Sequence, residues 1–274
     1  MATKGSPRSS KRSSTNAVRS SYHLGLDSRS IEGATIALLP GDPDRVPLLA
    51  QTDPIRDAKE IAWKREYRTW LAWVDKTPVL ITSTGIGGPS TSIALDELAQ
   101  LGVETFIRVG TTGAIQADIA LGDVIITSGA VRLDGASTHY APIEYPAVAH
   151  HEIVNALVVA SQLLNITYHV GITCSSDTFY PGQERKDSFT GYVPRRFQGA
   201  TQEWRKLHVL NYEMEAATVL TLCNAFGLRG GCVTGVVVRR VEREHITKKG
   251  LVMGEKNAMS VAAKALEVLI SRER

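Results

Sequence analysis

From residue 34 onward, short apolar runs rich in β-forming residues alternate with segments of helical periodicity, which confines the chain to α/β folds. Thr35–Pro40, Thr105–Val109, Asp123–Thr127, His169–Thr173 and Cys232–Val238 read as strands. Tyr67–Val74 and Pro78–Thr84 flank Asp75-Lys76-Thr77, which predicts a hairpin with a three-residue connection. Ser90–Leu101 predicts a helix: Ser90 caps it, Ile93, Ala94, Leu98 and Leu101 share a face, and Gly102 ends it. Ala216–Phe226 is apolar nearly all round and stops at Gly227, so a buried helix is expected. Ala258, Val261, Ala262, Ala265 and Leu269 recur at helical spacing near the C-terminus. With 43% hydrophobic and 22% charged residues, the chain can fill an ordinary core. It shows neither an internal repeat nor a linker, and one α/β domain with helices on both sheet faces is expected.

Charge is distributed unevenly. Lys4, Arg8, Lys11, Arg12 and Arg19 all precede the first acidic residue, Asp27. Setting those five aside leaves 26 basic against 28 acidic residues, so the body is close to neutral. Residues 1–20 are Ser-, Lys- and Arg-rich with almost no large apolar groups, the composition of a disordered tail. An organelle transit peptide shares the Arg/Ser bias but needs an apolar face. A nucleic-acid arm has the right charge, yet nothing in residues 21–274 supports one. No apolar run approaches the ~18 residues that cross a bilayer, and no secretory signal is visible. Cys174, Cys223 and Cys232 lie in apolar surroundings without a Cys-x-x-Cys pair. They read as reduced thiols of a cytoplasmic protein, with no cysteine-based zinc site.

Ligands of such sheets collect beyond the carboxyl ends of strands. Pro40–Arg45 offers a glycine for close backbone approach and Arg45 to fork onto an anion, although the same residues make an ordinary turn. Ser83–Ser90 superficially matches a dinucleotide loop, but the next strand carries Arg108 where that fold needs a carboxylate. An oxidoreductase is thereby disfavoured. Arg108–Ala114 reads either as a phosphate nest in a compact turn or as an arginine paired with a core carboxylate. Asn211–Thr218 places Glu213 and Glu215 at a helix mouth. If both were helical they would point to opposite sides, leaving one to take the adjacent hydroxyls of a sugar. In Thr178–Arg185, a Gln amide supplies an acceptor and a donor while Arg supplies donors only, which suits the edge of uracil. Phe179 or Tyr180 would cover its face. A solvated polar turn is the plain alternative.

An anion site, a polyol site and a flat heterocycle site together fit a nucleoside plus phosphate. The segments GDPDR, STGIGGPSTSIALDELAQLG, RVGTTGAI, VRLDGAS, SSDTFYPGQER and NYEMEAAT resemble the uridine phosphorylases of the nucleoside phosphorylase-I family. The resemblance runs from about His23 to the C-terminus, with breaks at residues 51–62 and 241–253. It implies a single α/β/α domain with a central mixed, twisted sheet, and a hexamer of dimers whose active sites share residues. By that resemblance Gly41, Arg45, Arg108 and Thr111 hold phosphate, with Arg65 supplied by the neighbouring subunit. His23, also from the neighbour, Thr111, Met214 and Glu215 take the ribose. Phe179, Gln183, Arg185 and Arg240 serve the uracil. Glu66, the Ile86 carbonyl and Ser90 match a position for structural potassium, and the chemistry itself requires no cofactor. The implied partners are uridine and inorganic phosphate, with neither nucleic acid nor membrane. A broader pyrimidine or purine nucleoside phosphorylase, or a binding homologue without turnover, is the alternative. The chain departs from the family at Arg239, where an Asn is usual, and over a lid that contains His245 and Ile246.

Overall fold

The computed structural model describes residues 18–241 and 244–272. Most of the basic tail, through residue 17, lies outside the described residues. At its end Ser20 bridges Asp27, and Arg19 Nη1 donates to the Gln100 carbonyl at 3.1 Å. In chain order the elements are β1 Ile36–Pro40, α1 Arg45–Ala50, β2 Arg56–Lys64, β3 Tyr67–Val74, β4 Thr77–Thr82, α2 Gly88–Leu101, β5 Thr105–Ala114 and β6 Val124–Leu133. There follow β7 Ala147–Val148, α3 His151–Leu163, β8 Tyr168–Ser176, α4 Ala200–Lys206, β9 Val209–Glu213, α5 Ala216–Phe226, β10 Arg229–Arg240, β11 Glu244–His245 and α6 Lys248–Arg272.

All the strands join one 11-stranded mixed sheet in the order β11-β10-β6-β8-β9-β5-β1-β4-β3-β2, with β7 on β6. Because β10 also pairs with β5, the strands β5, β10, β6, β8 and β9 close into a ring, and β1, β4, β3 and β2 extend from it. One face is covered by α1, α3 and α6, whose Val46, Leu49, Ile153, Leu157, Val261 and Leu266 pack on Leu38, Ile107 and Val233. The other is covered by α2 and α5 through Leu95, Leu98, Val219 and Leu222, packed on Leu39, Leu80 and Phe106. This is the α/β/α arrangement expected. The three cysteines are buried and unpaired, and burial pushes the Cys232 thiol up to about 12, which keeps it protonated and inert.

Helix α6 lies so close to β10 that a Cβ on Gly235 would overlap the Gly254 carbonyl. Backbone leaves neither side room to yield. Gly235→Ala is expected to destabilise the protein by ~3 kcal/mol, near the upper end of overpacking costs, with urea denaturation as the measurement.

Several local expectations are corrected. The β3–β4 connection is two residues, since Val74 pairs with Thr77 and strand β4 begins there. Ser90 is inside α2 rather than its cap; the helix starts at Gly88, with Pro89 in its first turn and Gly87 as the capping residue. Residues 110–114 are not a compact turn but the second half of β5, held extended by β10 along its whole length. Glu213 ends strand β9 and Glu215 precedes α5 in a non-helical conformation, so the two are not on opposite sides of a helix.

Candidate active site

The site sits where the partners of β5 change. β1 pairs with β5 as far as Val109, and β9 joins the same edge only at Gly113. Gly110, Thr111 and Thr112 lie at this switch, and a crevice opens beside them. It forms a cavity of about 650 Å³ lined by Gly41, Arg45, Ile86, Arg108, Thr111, Phe179, Gln183, Arg185, Met214 and Glu215. These ten sequence-predicted residues come from segments far apart in the chain, yet they meet around a single space.

At one end are the arginine that opens α1 and the arginine of β5. The Gly41 and Gly85 loops are zipped together, with Gly85 N donating to the Gly41 carbonyl at 2.9 Å. Arg45 opens α1, and its Nε donates to Glu255 Oε1 at 2.6 Å, so its Nη nitrogens remain to meet a ligand. Arg108 is buried and forks onto two carboxylates: Nε donates to Glu213 at 2.7 Å, and Nη2 contacts Glu215. The reading of Arg108 as an arginine paired with core carboxylates holds, and the same side chain lines the cavity. Burial works against its charge, but Glu215 and Glu213 outweigh that and raise its pKa.

The two glutamates divide their work. Glu213 accepts from Ser175 Oγ and from the backbone N–H groups of Glu215 and Ala216 at 2.8 and 2.9 Å, besides Arg108. It is saturated and caps α5. Glu215 accepts from Gly87 N at 2.6 Å and from Arg108, keeping acceptor capacity toward the cavity. Burial, reinforced by Glu213 and opposed by Arg108, raises its pKa.

At the other end, Thr178–Arg185 folds into a 3-10 turn at Pro181–Gln183. A Cβ on Gly182 would overlap Ser176 Oγ and Thr178 Oγ1, so both hydroxyls would have to move to admit one. Arg185 N donates to the Tyr180 carbonyl at 2.8 Å, while Glu184 turns away to accept from Gly199 N and Thr201 N. Gln183 and Arg185 are buried, and the guanidinium of Arg185 lies 4.1 Å over the Phe179 ring. Phe179 rather than Tyr180 is thus the aromatic facing the cavity. Arg240 is outside the cavity wall, but its Nη2 donates to the Gln183 carbonyl at 2.6 Å and braces that loop. Arg239, the departure from the family pattern, is spent on the Ala117 carbonyl at 2.8 Å.

Besides Arg240, four predicted residues do not reach this cavity within the chain. His23 Nδ1 bonds Glu97 at 2.6 Å, and Arg65 is exposed in the β2–β3 turn. Glu66 and Ser90 converge over Gly85, where an added Cβ would meet Glu66 Cγ at 2.9 Å and Ser90 Oγ at 3.3 Å. Ser90 Oγ is 3.2 Å from the Ile86 carbonyl. Residues that sequence alone misses are Tyr212, Glu244 and the Arg45 partner Glu255; the last two carry no local signal, being ordinary acidic residues paired across long separations.

The fold, with this cavity at the strand switch, defines a class. Residues 35–271 match the family model described as the phosphorylase superfamily, and the chain belongs to that family. It is 51% identical over 251 residues to the uridine phosphorylase of Escherichia coli (strain K12), covering 91% of this chain and 98% of that one. It is 47% identical over 248 residues to the uridine phosphorylase of Thermococcus kodakarensis, covering 90% and 86%. A guanosine phosphorylase of Halorubrum lacusprofundi is 41% identical over 201 residues, covering 73% and 77%. Among the described residues no helix is long and apolar enough to cross a membrane.

Proposed function

We propose that this chain catalyses the reversible phosphorolysis of uridine, giving uracil and ribose 1-phosphate. The observation that carries the reading is one cavity holding Arg45, Arg108 and Thr111 together with Gln183 and Arg185. Relatives named for uridine and for guanosine share the family, so the base end decides between them. Gln183 and Arg185 offer the donors and acceptor of a uracil edge, and the run Val236–Arg240 supplies no carboxylate to protonate a purine.

Phosphate would lie against Arg45, Arg108 and Thr111, and Glu215 would accept the ribose hydroxyls beside Met214. The glycosidic bond breaks early, leaving positive charge on the sugar and negative charge on uracil. Phosphate stabilises the first and then attacks C1′; Arg185 and Gln183 stabilise the second. Their groups are fixed beforehand, so little reorganisation accompanies charge separation. Holding both reactants in one cavity supplies much of the remaining acceleration.

Within the cavity Arg45 and Arg108 are both tied to carboxylates, which favours an additional cation from outside the chain. Exposed Arg65 would enter a neighbour's phosphate site, and His23 a neighbour's ribose site, in a hexamer of dimers. Glu66, the Ile86 carbonyl and Ser90 provide an all-oxygen set suited to a hard cation and would hold structural potassium.

Uridine, thymidine and inosine assayed together test the reading. Uracil release from uridine should require inorganic phosphate, and inosine should be a poor substrate. Preferential cleavage of inosine, or cleavage of uridine without phosphate, would overturn it.

A further inference from the structure

Glu244 stands at the base end of the cavity without a part in the reaction above. It belongs to β11, whose backbone pairs with Arg239 and Arg240. Its Oε1 contacts Arg185 Nη1 and lies 3.3 Å from Arg240 Nε. The two arginine side chains are only 7% and 11% exposed, so two nearly buried guanidinium groups share one carboxylate oxygen. Burial and the charge of Arg185 both act against the charged form of Arg240. Arg185 Nε and Arg240 Nη1 are buried with no hydrogen-bond partner among the described residues, so Glu244 is the carboxylate that both guanidinium groups contact. Through Arg240, Glu244 is also linked to the Gln183 carbonyl. Both residues that would hold uracil therefore depend on it.

We propose that Glu244 is a positioning residue for nucleobase recognition: as the shared counterion of Arg185 and Arg240, it keeps the free donors of Arg185 turned to the cavity and Arg240 on the Gln183 loop. The inference rests on the assignment of this end of the cavity to uracil. A hydrogen-bond acceptor alone would not suffice, because two adjacent buried cations repel unless a charge lies between them. Gln183 lines the same cavity, and its side chain makes no hydrogen bond with any described residue.

The test is steady-state kinetics of the parent with Glu244→Gln, Glu244→Asp, Arg240→Gln and the Arg240→Gln/Glu244→Gln double variant. Glu244→Gln keeps the size but loses the charge. It should raise KM for uridine about tenfold, the scale of a charge-assisted contact, while KM for phosphate stays within about twofold. Glu244→Asp, which keeps the charge, should show a smaller rise. The double variant should lose less than the product of the two single losses, because removing Arg240's charge relieves the repulsion that Glu244→Gln exposes. An unchanged KM for uridine in Glu244→Gln, an equal rise for phosphate, or multiplicative losses in the double variant would overturn the proposal. A parent that splits uridine beside an unaffected Glu244→Gln removes this inference alone; a parent that does not split uridine removes the functional reading with it.

Discussion

Arg108→Ala is expected to cost about 3–5 kcal/mol of stability and, in the fraction still folded, to lower kcat/KM for phosphate by roughly 10²–10³. Arg108 is the counterion of both Glu213 and Glu215, which are buried and adjoin each other around it. Its removal leaves two carboxylates in the core without their counterion and takes a guanidinium from the cavity wall. Arg108→Lys should recover only part of either loss, because a single ammonium cannot fork across two separate carboxylates. Urea denaturation reads the first effect and phosphate-dependent kinetics the second. A variant with parental stability would show that the carboxylates find other partners.

Gln183→Ala and Arg185→Ala should behave differently, losing activity without a comparable loss of stability. Each is expected to reduce kcat/KM for uridine by about 10²–10³, the range for removing one preorganised donor from a developing anion. The amide of Gln183 has no hydrogen-bond partner among the described residues, so the fold does not depend on it. Arg185 does pair with Glu244, but that carboxylate is 33% exposed and water can take over its solvation. Far-ultraviolet circular dichroism and thermal melting should remain close to the parent. If both variants kept full activity, the base would have to bind elsewhere.

The contrast between these two sites also marks what the sequence could disclose. Apolar runs such as TIALLP and CVTGVVV announced their strands because both faces of the central sheet are covered. Strand β2, Arg56–Lys64, is largely exposed and polar, so no alternation distinguished it from a loop. Helix α3 carries its apolar residues at helical spacing but begins after His150 with no capping side chain, leaving its start unmarked. In RVGTTGA the glycines suggested a turn. Pairing with β10 kept the segment extended, a tertiary effect that local propensity does not contain.

Within the site, the residue types were legible and their pairings were not. Gln and Arg in a Pro-Gly turn spoke for a heterocycle edge through donor and acceptor chemistry alone. That Glu213 and Glu215 share Arg108 depended on one ending a strand while the other precedes a helix, a boundary of one or two residues. The pairs Arg185–Glu244 and Arg45–Glu255 span 59 and 210 residues. Such acidic residues look like any solvated charge until the fold brings them in.

The most direct measurement is a crystal structure with uracil and ribose 1-phosphate bound together. It should show the phosphate on Arg45, Arg108 and Thr111, and the uracil edge on Gln183 and Arg185 with Phe179 beside its ring. The sugar should bridge the two, its hydroxyls on Glu215. Ligands seated outside this cavity, or a phosphate bound at the Gln183 end, would contradict the account.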